Sequence, residues 1–182
     1  MSRPDYRQTL PPLALTALAI ALDQISKAFI VKLWPRSGSF IADVFGNGLL
    51  EIYHVRNKAI AFSLGRNLPD MLRPFLFIIV PLGVLAFLVV YYFRSTEFTR
   101  LQRWAVAGIL GGGIGNLIDR IFRPDGVVDF VSVKFFGILG FERWPTFNLA
   151  DSSVVVFGFI LLFTIFVPPN KAGGQKKPPK AA

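Results

Sequence analysis

Two aspartates, Asp129 and Asp151, are the residues of this sequence that could most readily do chemistry together. In a site that is partly dry, two neighbouring carboxyl groups cannot easily both ionise, so they share one proton. One can then act as a base on a water molecule while the other acts as an acid. This is the chemistry of peptide hydrolysis without a metal ion or a covalent nucleophile. Because acidic residues near the ends of apolar segments are often simply solvated, the pair alone does not establish an active site.

Several other chemistries are excluded or disfavoured by the composition. The chain has no cysteine, which excludes a thiol nucleophile, a thiolate metal site and a disulfide framework. Its single histidine, His54, makes a Ser-His triad or a histidine-based zinc site a poor interpretation. His54 lies in a Tyr-His-Val stretch that is typical of a β-strand, and we interpret it as structural.

The elements that must position the aspartates are membrane spans. Of the 182 residues, 53% are hydrophobic and only 17% are charged, which is too apolar for an ordinary soluble domain. The net charge of +9 could suggest nucleic acid, but the positive residues cluster at the ends of apolar runs, as they do at a membrane surface.

Four apolar runs are close to the length of about 20 residues that a helix needs to cross a bilayer core. They cover residues 13–33, 71–93, 101–122 and 150–167. Residues 127–136 alternate as a short strand does. The fold class predicted is therefore an all-α membrane bundle of four transmembrane helices with a small extracytoplasmic β-sheet and loop region. Residues 1–168 are expected to form one domain, and 169–182 a disordered basic cytoplasmic tail.

The distribution of basic residues predicts the orientation of the chain, because arginine and lysine mark the cytoplasmic side. Basic residues with few acids occur before the first run, between the second and third, and after the fourth; they are Arg3, Arg7, Arg94, Arg100, Arg103, Lys171, Lys176, Lys177 and Lys180. We therefore expect both termini to be cytoplasmic. Asp129 and Asp151 then fall at the outer surface of the membrane.

Charged residues also occur inside the runs, where each costs a few kcal/mol and needs an explanation. Asp23 and Lys27 are four residues apart and should form an ion pair on one helix face. Asn116, Asp119 and Arg120 share a face near the outer end of the third run. Either set could stabilise the bundle and have no other role, or it could belong to the site.

The third run is also rich in glycine, which allows a neighbouring helix or a substrate backbone to approach closely. The glycines are Gly108, Gly111, Gly112, Gly113 and Gly115. We hypothesise that this face receives an apolar substrate helix.

Five motifs in this order resemble the lipoprotein signal peptidase family, also called signal peptidase II. They are Asp23-Gln24-Ile25-Ser26-Lys27, Asn57-Lys58-Ala59-Ile60-Ala61-Phe62-Ser63, Gly115-Asn116-Leu117-Ile118-Asp119-Arg120, Val128-Asp129-Phe130 and Phe147-Asn148-Leu149-Ala150-Asp151. Each motif is weak alone, but together they extend from the first run to the fourth.

The resemblance implies an aspartic endopeptidase of the bacterial inner membrane. The family cleaves prolipoproteins on the N-terminal side of a cysteine that carries diacylglycerol, and it needs no cofactor. The resemblance assigns the catalytic roles to Asp129 and Asp151. It places four polar residues in the lining of the site: Asn57, Asn116, Arg120 and Asn148. Asp23 and Lys27 correspond to a supporting pair. No metal ligand is expected, and we expect the chain to act as a monomer among membrane lipids.

The sequence departs from the family's pattern at one place. The asparagine motif commonly continues with glycine and then alanine, whereas here Ala59 and Ile60 follow Lys58.

Two other interpretations stay open on the residues alone. A small ion transporter would use four charged residues as a relay, although the inner halves of the second and fourth runs contain no ionisable residue; the four are Asp23, Lys27, Asp119 and Arg120. A non-catalytic assembly factor would use the glycine face to bind other membrane helices.

Overall fold

Long apolar helices dominate the computed structural model, which describes residues 6–58, 69 and 71–166. Within those residues, four helical stretches have the length and composition to cross a membrane: Tyr6–Leu33, Phe75–Arg94, Arg100–Phe122 and Leu149–Phe166. The described residues also include a four-stranded sheet. The predicted fold class, four transmembrane helices with a small sheet, is thus confirmed. The predicted tail at 169–182 lies outside the described residues.

The first stretch is divided by Pro11 and Pro12 into a short helix, α1 (Tyr6–Thr9), and a long one, α2 (Leu13–Leu33). The second begins with one π-helical turn (Phe75–Ile79) and continues as α3 (Val80–Arg94). Pro81 lacks the N–H group that would continue regular α-helical bonding there, and a widened turn accommodates that loss. The third and fourth helices are α4 (Arg100–Phe122) and α5 (Leu149–Phe166).

Helix α4 lies in the centre of the bundle and contains most of the buried residues of the helices. Its apolar side chains pack with Leu85 and Tyr92 of α3 in the larger hydrophobic core. The outward faces of α2, α3 and α5 expose large apolar side chains, as lipid-facing helices do.

The five glycines of α4 are what allow this central position. A Cβ added at Gly112 would lie 2.3 Å from the carbonyl oxygen of Ala150 in α5, and one at Gly111 would lie 2.7 Å from Ala19 in α2. Gly108, Gly113 and Gly115 also face other helices of the bundle. The hypothesis that this face receives a substrate helix is therefore wrong, because the chain's own helices already occupy it.

The sheet contains β1 (Ser39–Asp43), β2 (Leu50–Asn57), β3 (Val127–Ile138) and β4 (Phe141–Arg143) in that order, all antiparallel. Strand β3 was predicted from its alternation. His54 is buried in β2, where its Nδ1 lies 2.5 Å from the carbonyl oxygen of Trp34, as a structural histidine would be. A smaller core under the sheet, built on Ile30, Val128 and Phe130, joins β3 to the end of α2.

Candidate active site

Asp129 is placed by the pairing of β2 with β3. The register sets Val55 opposite Asp129 and Asn57 opposite Val127, so Asn57 reaches Asp129 diagonally across the two strands. Asn57 Nδ2 donates a hydrogen bond of 2.9 Å to Asp129 Oδ2. Asp129 is only 2% exposed.

Asp151 is placed by the start of α5, which is pinned to the same strand. The carbonyl oxygen of Phe147 accepts hydrogen bonds from the backbone of Phe130 (3.0 Å) and Val131 (2.8 Å), and Phe147 N donates to Val131 O (3.0 Å). The next residue, Asn148, caps the helix, since its Oδ1 accepts from Asp151 N at 2.9 Å. Asp151 Oδ2 in turn accepts from Asn148 N at 3.1 Å. This reciprocal pair is a capping box, and it fixes the Asp151 carboxyl group at the helix N-terminus.

Asn148 also connects the two aspartates. Its Nδ2 donates to Asp129 Oδ1 at 2.7 Å, while its backbone N–H and side-chain oxygen are both bonded to Asp151. The side-chain oxygen is occupied by an N–H donor, so the amide nitrogen has to face Asp129. Asn148 is completely buried.

Asn116 of α4 connects Asp151 to the interior of the bundle. Its Nδ2 donates to Asp151 Oδ1 at 2.7 Å, and its Oδ1 accepts from Lys27 Nζ at 2.9 Å. An ammonium group can only donate, so Lys27 fixes the orientation of the Asn116 amide. The supporting lysine thus acts on Asp151 through Asn116.

Lys27 is completely buried between two carboxylates, Asp23 at 2.8 Å and Asp119 at 3.2 Å. Both of these carboxylates have further donors. Asp23 Oδ1 accepts from Ala150 N at 3.0 Å, and Asp119 Oδ2 accepts from Val128 N at 3.0 Å. The ion pair expected on α2 therefore exists. Its Asp23 also holds the start of α5, and Asp119, the second partner of Lys27, holds the start of β3.

Two members of this network were not singled out from the sequence. Gln24 Nε2 lies 3.0 Å from oxygens of Asp23, Gly115 and Asp119, which ties α2 to α4. Arg123 forms an ion pair with Asp119, four residues earlier on α4. The i,i+4 spacing of Arg123 could have revealed it.

The environment of Asp129 favours its protonated form. Burial, and next the negative charge of Asp151, raise the pKa of Asp129 to about 7, against the opposing hydrogen bonds from Asn57 and Asn148. The two carboxyl groups are thus close enough to affect each other's ionisation. One of them can hold a proton near neutral pH.

Arg120 faces a different part of the molecule from Asn116 and Asp119, the two residues of α4 with which it was predicted to share a face. Asn116 and Asp119 face Lys27, whereas Arg120 lines a cleft of about 270 Å³ between the end of β2, the start of the second span and the end of α4. Within the described part of the chain its guanidinium group has no hydrogen-bond partner, but its charge interacts with those of Asp151 and Asp129. Phe77 contributes an apolar wall to the same cleft.

All eight residues predicted for the site therefore lie in or beside one cluster; they are Asp129, Asp151, Asn57, Asn116, Arg120, Asn148, Asp23 and Lys27. Among the described residues no group of three histidine, cysteine or acidic side chains is arranged to hold a metal ion. Lys58 lines the cleft, and Ala59 to Ser63 of its motif lie outside the described residues.

The chain is similar to one protein family over most of its length. The family described as Signal peptidase (SPase) II matches residues 15–167. A lipoprotein signal peptidase of Treponema pallidum (strain Nichols) is 44% identical over 164 residues, which cover 90% of this chain and 87% of that protein. One of Treponema denticola is 49% identical over 147 residues, covering 81% and 83%.

Two solved structures, each described as a bacterial membrane enzyme, share the fold. The first has a TM-score of 0.74 at 21% identity and covers 98% of this chain and 99% of its own. The second has a TM-score of 0.70 at 22% identity and covers 91% and 97%.

Proposed function

The chain belongs to the signal peptidase II family, and we propose that Asp129 and Asp151 are the aspartates with which it removes signal peptides from prolipoproteins. Membership makes it a bacterial membrane protease that processes lipoproteins. The observation that carries the proposed pair is the contact of Asn148 with both carboxyl groups. Catalysis by two such carboxyl groups requires one base and one acid at the same water molecule.

We assign the base to Asp151 and the acid to Asp129. Each carboxyl group accepts hydrogen bonds from two N–H donors, so it is their positions that distinguish them. Asp151 lies at the N-terminus of α5, where the helix dipole stabilises negative charge. Asp129 lies on a strand without that dipole, and its pKa is raised to about 7 by burial and by Asp151. Near neutral pH Asp129 is therefore the carboxyl group that can hold the shared proton.

The reaction then follows with its protons balanced. Asp151 accepts a proton from water as the water oxygen bonds to the scissile carbonyl carbon, and Asp129 gives its proton to the carbonyl oxygen. When the tetrahedral diol collapses, Asp151 gives its proton to the leaving nitrogen as the C–N bond breaks. A hydroxyl proton returns to Asp129, so the pair regains its starting state.

The asparagines act as positioning residues in this proposal. The amide nitrogens of Asn57, Asn148 and Asn116 are already bonded to the aspartates, so they orient carboxyl groups and are not free to bind substrate. Arg120 faces the cleft and has the spare donors to stabilise negative charge that develops on the substrate carbonyl.

We further propose that the substrate carries a diacylglyceryl-modified cysteine and is cut on the N-terminal side of that residue. A lipid-modified substrate moves within the bilayer, so its cleavage site reaches the enzyme at the membrane surface. The aspartates lie where β3 and α5 meet, at one end of the helical bundle, and the neighbouring cleft has an apolar wall that includes Phe77. The position of the pair and this wall support a substrate of that kind.

The orientation proposed from the basic residues puts both termini in the cytoplasm and the aspartates at the periplasmic face. We also propose that residues 1–168 form one peptidase domain that acts as a monomer. The fact that every proposed site residue comes from one chain supports this. The test of the catalytic proposal is cleavage of a diacylglyceryl-modified prolipoprotein by the purified chain and its Asp129→Asn and Asp151→Asn variants.

A further inference from the structure

A second cavity, of about 410 Å³, lies at the opposite end of the bundle from the aspartates. It is bordered by α1, the turn that follows it and the first residues of α4; its lining residues are Arg7, Gln8, Pro11, Pro12, Arg100 and Trp104. Arg100 is 16 residues before Asn116 on α4, a separation of about 24 Å at 1.5 Å per residue. The cavity is therefore separate from the proposed active site.

Buried polar contacts behind the cavity hold the helices that line it. Tyr92 Oη of α3 donates a hydrogen bond of 2.6 Å to Thr9 O, and this bond holds the end of α1 in place. Arg103 Nη1 donates to Tyr92 O at 3.3 Å, and Nη2 donates to Ser95 O at 3.0 Å. Thr9 and Tyr92 are completely buried and Arg103 is 3% exposed. These contacts hold α1 and the start of α4 against α3, and both α1 and α4 contribute lining residues to the cavity.

Positive charge accumulates around this cavity. Arg7 and Arg100 line it, and Arg103 lies one turn after Arg100 on α4. Among the described residues, neither Arg100 nor Arg103 forms an ion pair with an acidic side chain, and the buried Nε of Arg103 has no hydrogen-bond partner there. Burial of a cation without a compensating anion is costly. The N-terminus of α4 adds to the positive potential.

The surroundings of the cavity identify which anion fits. Trp104 lines it near the end of a membrane span, the depth that tryptophan favours in membrane proteins, so the cavity lies at the level of lipid headgroups. Leu10 and Leu101, which are 54% and 51% exposed, offer apolar surface for acyl chains beside it. The N-terminal region of a signal peptide is positively charged and would be repelled by the arginines.

We propose that this cavity binds the phosphate headgroup of an anionic phospholipid, held by Arg7 and Arg100 with Trp104 at its rim. The lipid would supply an anionic partner for Arg100, which forms no ion pair with an acidic side chain among the described residues. This role is independent of peptide cleavage, so it can fail while the catalytic proposal stands, and the reverse is also true.

The test measures lipid binding to the purified, delipidated full chain by native mass spectrometry, with phosphatidylglycerol and phosphatidylcholine of the same acyl chains. We expect phosphatidylglycerol to bind in preference and Arg100→Gln to weaken that binding about 10-fold, the value of one charge-assisted hydrogen bond. Arg94→Gln is the matched control, because Arg94 is exposed at the same end of the bundle but does not line the cavity. It should bind phosphatidylglycerol as the unmodified chain does.

Three results would overturn the proposal. Phosphatidylcholine could bind as tightly as phosphatidylglycerol, which would show that the headgroup charge is not recognised. Arg94→Gln could weaken binding as much as Arg100→Gln, which would indicate a diffuse surface attraction and no defined site. Inorganic phosphate at the lipid's concentration could displace the lipid, which would indicate a site for a soluble anion.

Discussion

Asn148 donates a 2.7 Å hydrogen bond from its side-chain nitrogen to Asp129, and the same side chain caps helix α5. Its oxygen is occupied by the backbone N–H of Asp151, so the cap determines which end of the amide faces Asp129. Formation of the helix end and orientation of an aspartate on a different element are therefore one event. This coupling joins the stability of the fold to the geometry of the site.

The coupling can be separated by two substitutions of Asn148. Serine caps a helix about as well as asparagine, whereas alanine costs about 1 kcal/mol of stability. Neither can donate to Asp129 as the amide does, and loss of that orienting hydrogen bond should slow cleavage about 10-fold. We expect Asn148→Ser to be more stable than Asn148→Ala in thermal unfolding, with both impaired in kcat/KM. Cleavage by Asn148→Ser at the unmodified rate would refute a positioning role.

Lys27 should matter for stability as much as for activity. Lys27→Met leaves Asp23 and Asp119 buried without their shared cation, which should cost about 3–5 kcal/mol. Lys32→Met is the control, since Lys32 is exposed on the same helix. Unfolding of the detergent-solubilised chain measures both. Asp119→Asn added to Lys27→Met should recover part of the loss; if the double variant is no more stable than Lys27→Met, charge compensation is not the cause.

Cleavage should depend on pH through Asp129. Since its pKa is raised to about 7, Asp129 loses its catalytic proton above that value, and kcat/KM should fall as the pH rises further. The hydrogen bond from Asn57 favours the ionised form and lowers this pKa. Asn57→Leu, which keeps the bulk, should therefore move the alkaline limb to higher pH.

The control for this shift is Asn47→Leu, because the Asn47 side chain bonds only within its own exposed turn, to Leu49 N. Its pH profile should match that of the unmodified chain. An alkaline limb that stays in place in Asn57→Leu, or moves to lower pH, would contradict the assignment of that limb to Asp129.

Gly112 tests the packing that brings α5 to the site. A methyl group there would meet the backbone oxygen of Ala150, which cannot move without displacing Asn148 and Asp151. Gly112→Ala should lower both thermal stability and cleavage. Gly158→Ala, on α5 with nothing within 4 Å of the added carbon, should be neutral or slightly stabilising. Equal behaviour of the two variants would show that helix contact at Gly112 does not control the site.

Much of this architecture was predictable, because the spans follow from apolar length and from clustered charge. The spacing of Asp23 and Lys27 predicted their ion pair, and the alternation of residues 127–136 predicted β3. The glycines of α4 predicted close packing but did not show which element packs against them. The same small residues suit a substrate helix or a neighbouring one, and only the assembled bundle shows α2, α3 and α5 in contact with them.

The contacts between elements could not be predicted from the sequence. Phe147 is joined to Val131 by an isolated pair of strand-like hydrogen bonds, which no periodicity signals, and this pairing brings Asn148 to Asp129. The division of roles between Arg120 and the asparagines also depends on which amides are already occupied. A resemblance to a family could place these residues in one site, but the contacts determine what each one touches.

The most direct test of the central claim is cleavage of a diacylglyceryl-modified prolipoprotein by the purified chain in detergent, followed by gel mobility. Asp129→Asn and Asp151→Asn are compared with Asp125→Asn, an exposed aspartate at the same end of the bundle. Each variant is first shown to be folded by its thermal transition. We expect the unmodified chain and Asp125→Asn to cleave, and the other two to leave the precursor intact. Cleavage at the normal rate by folded Asp129→Asn or Asp151→Asn would contradict the two-aspartate mechanism.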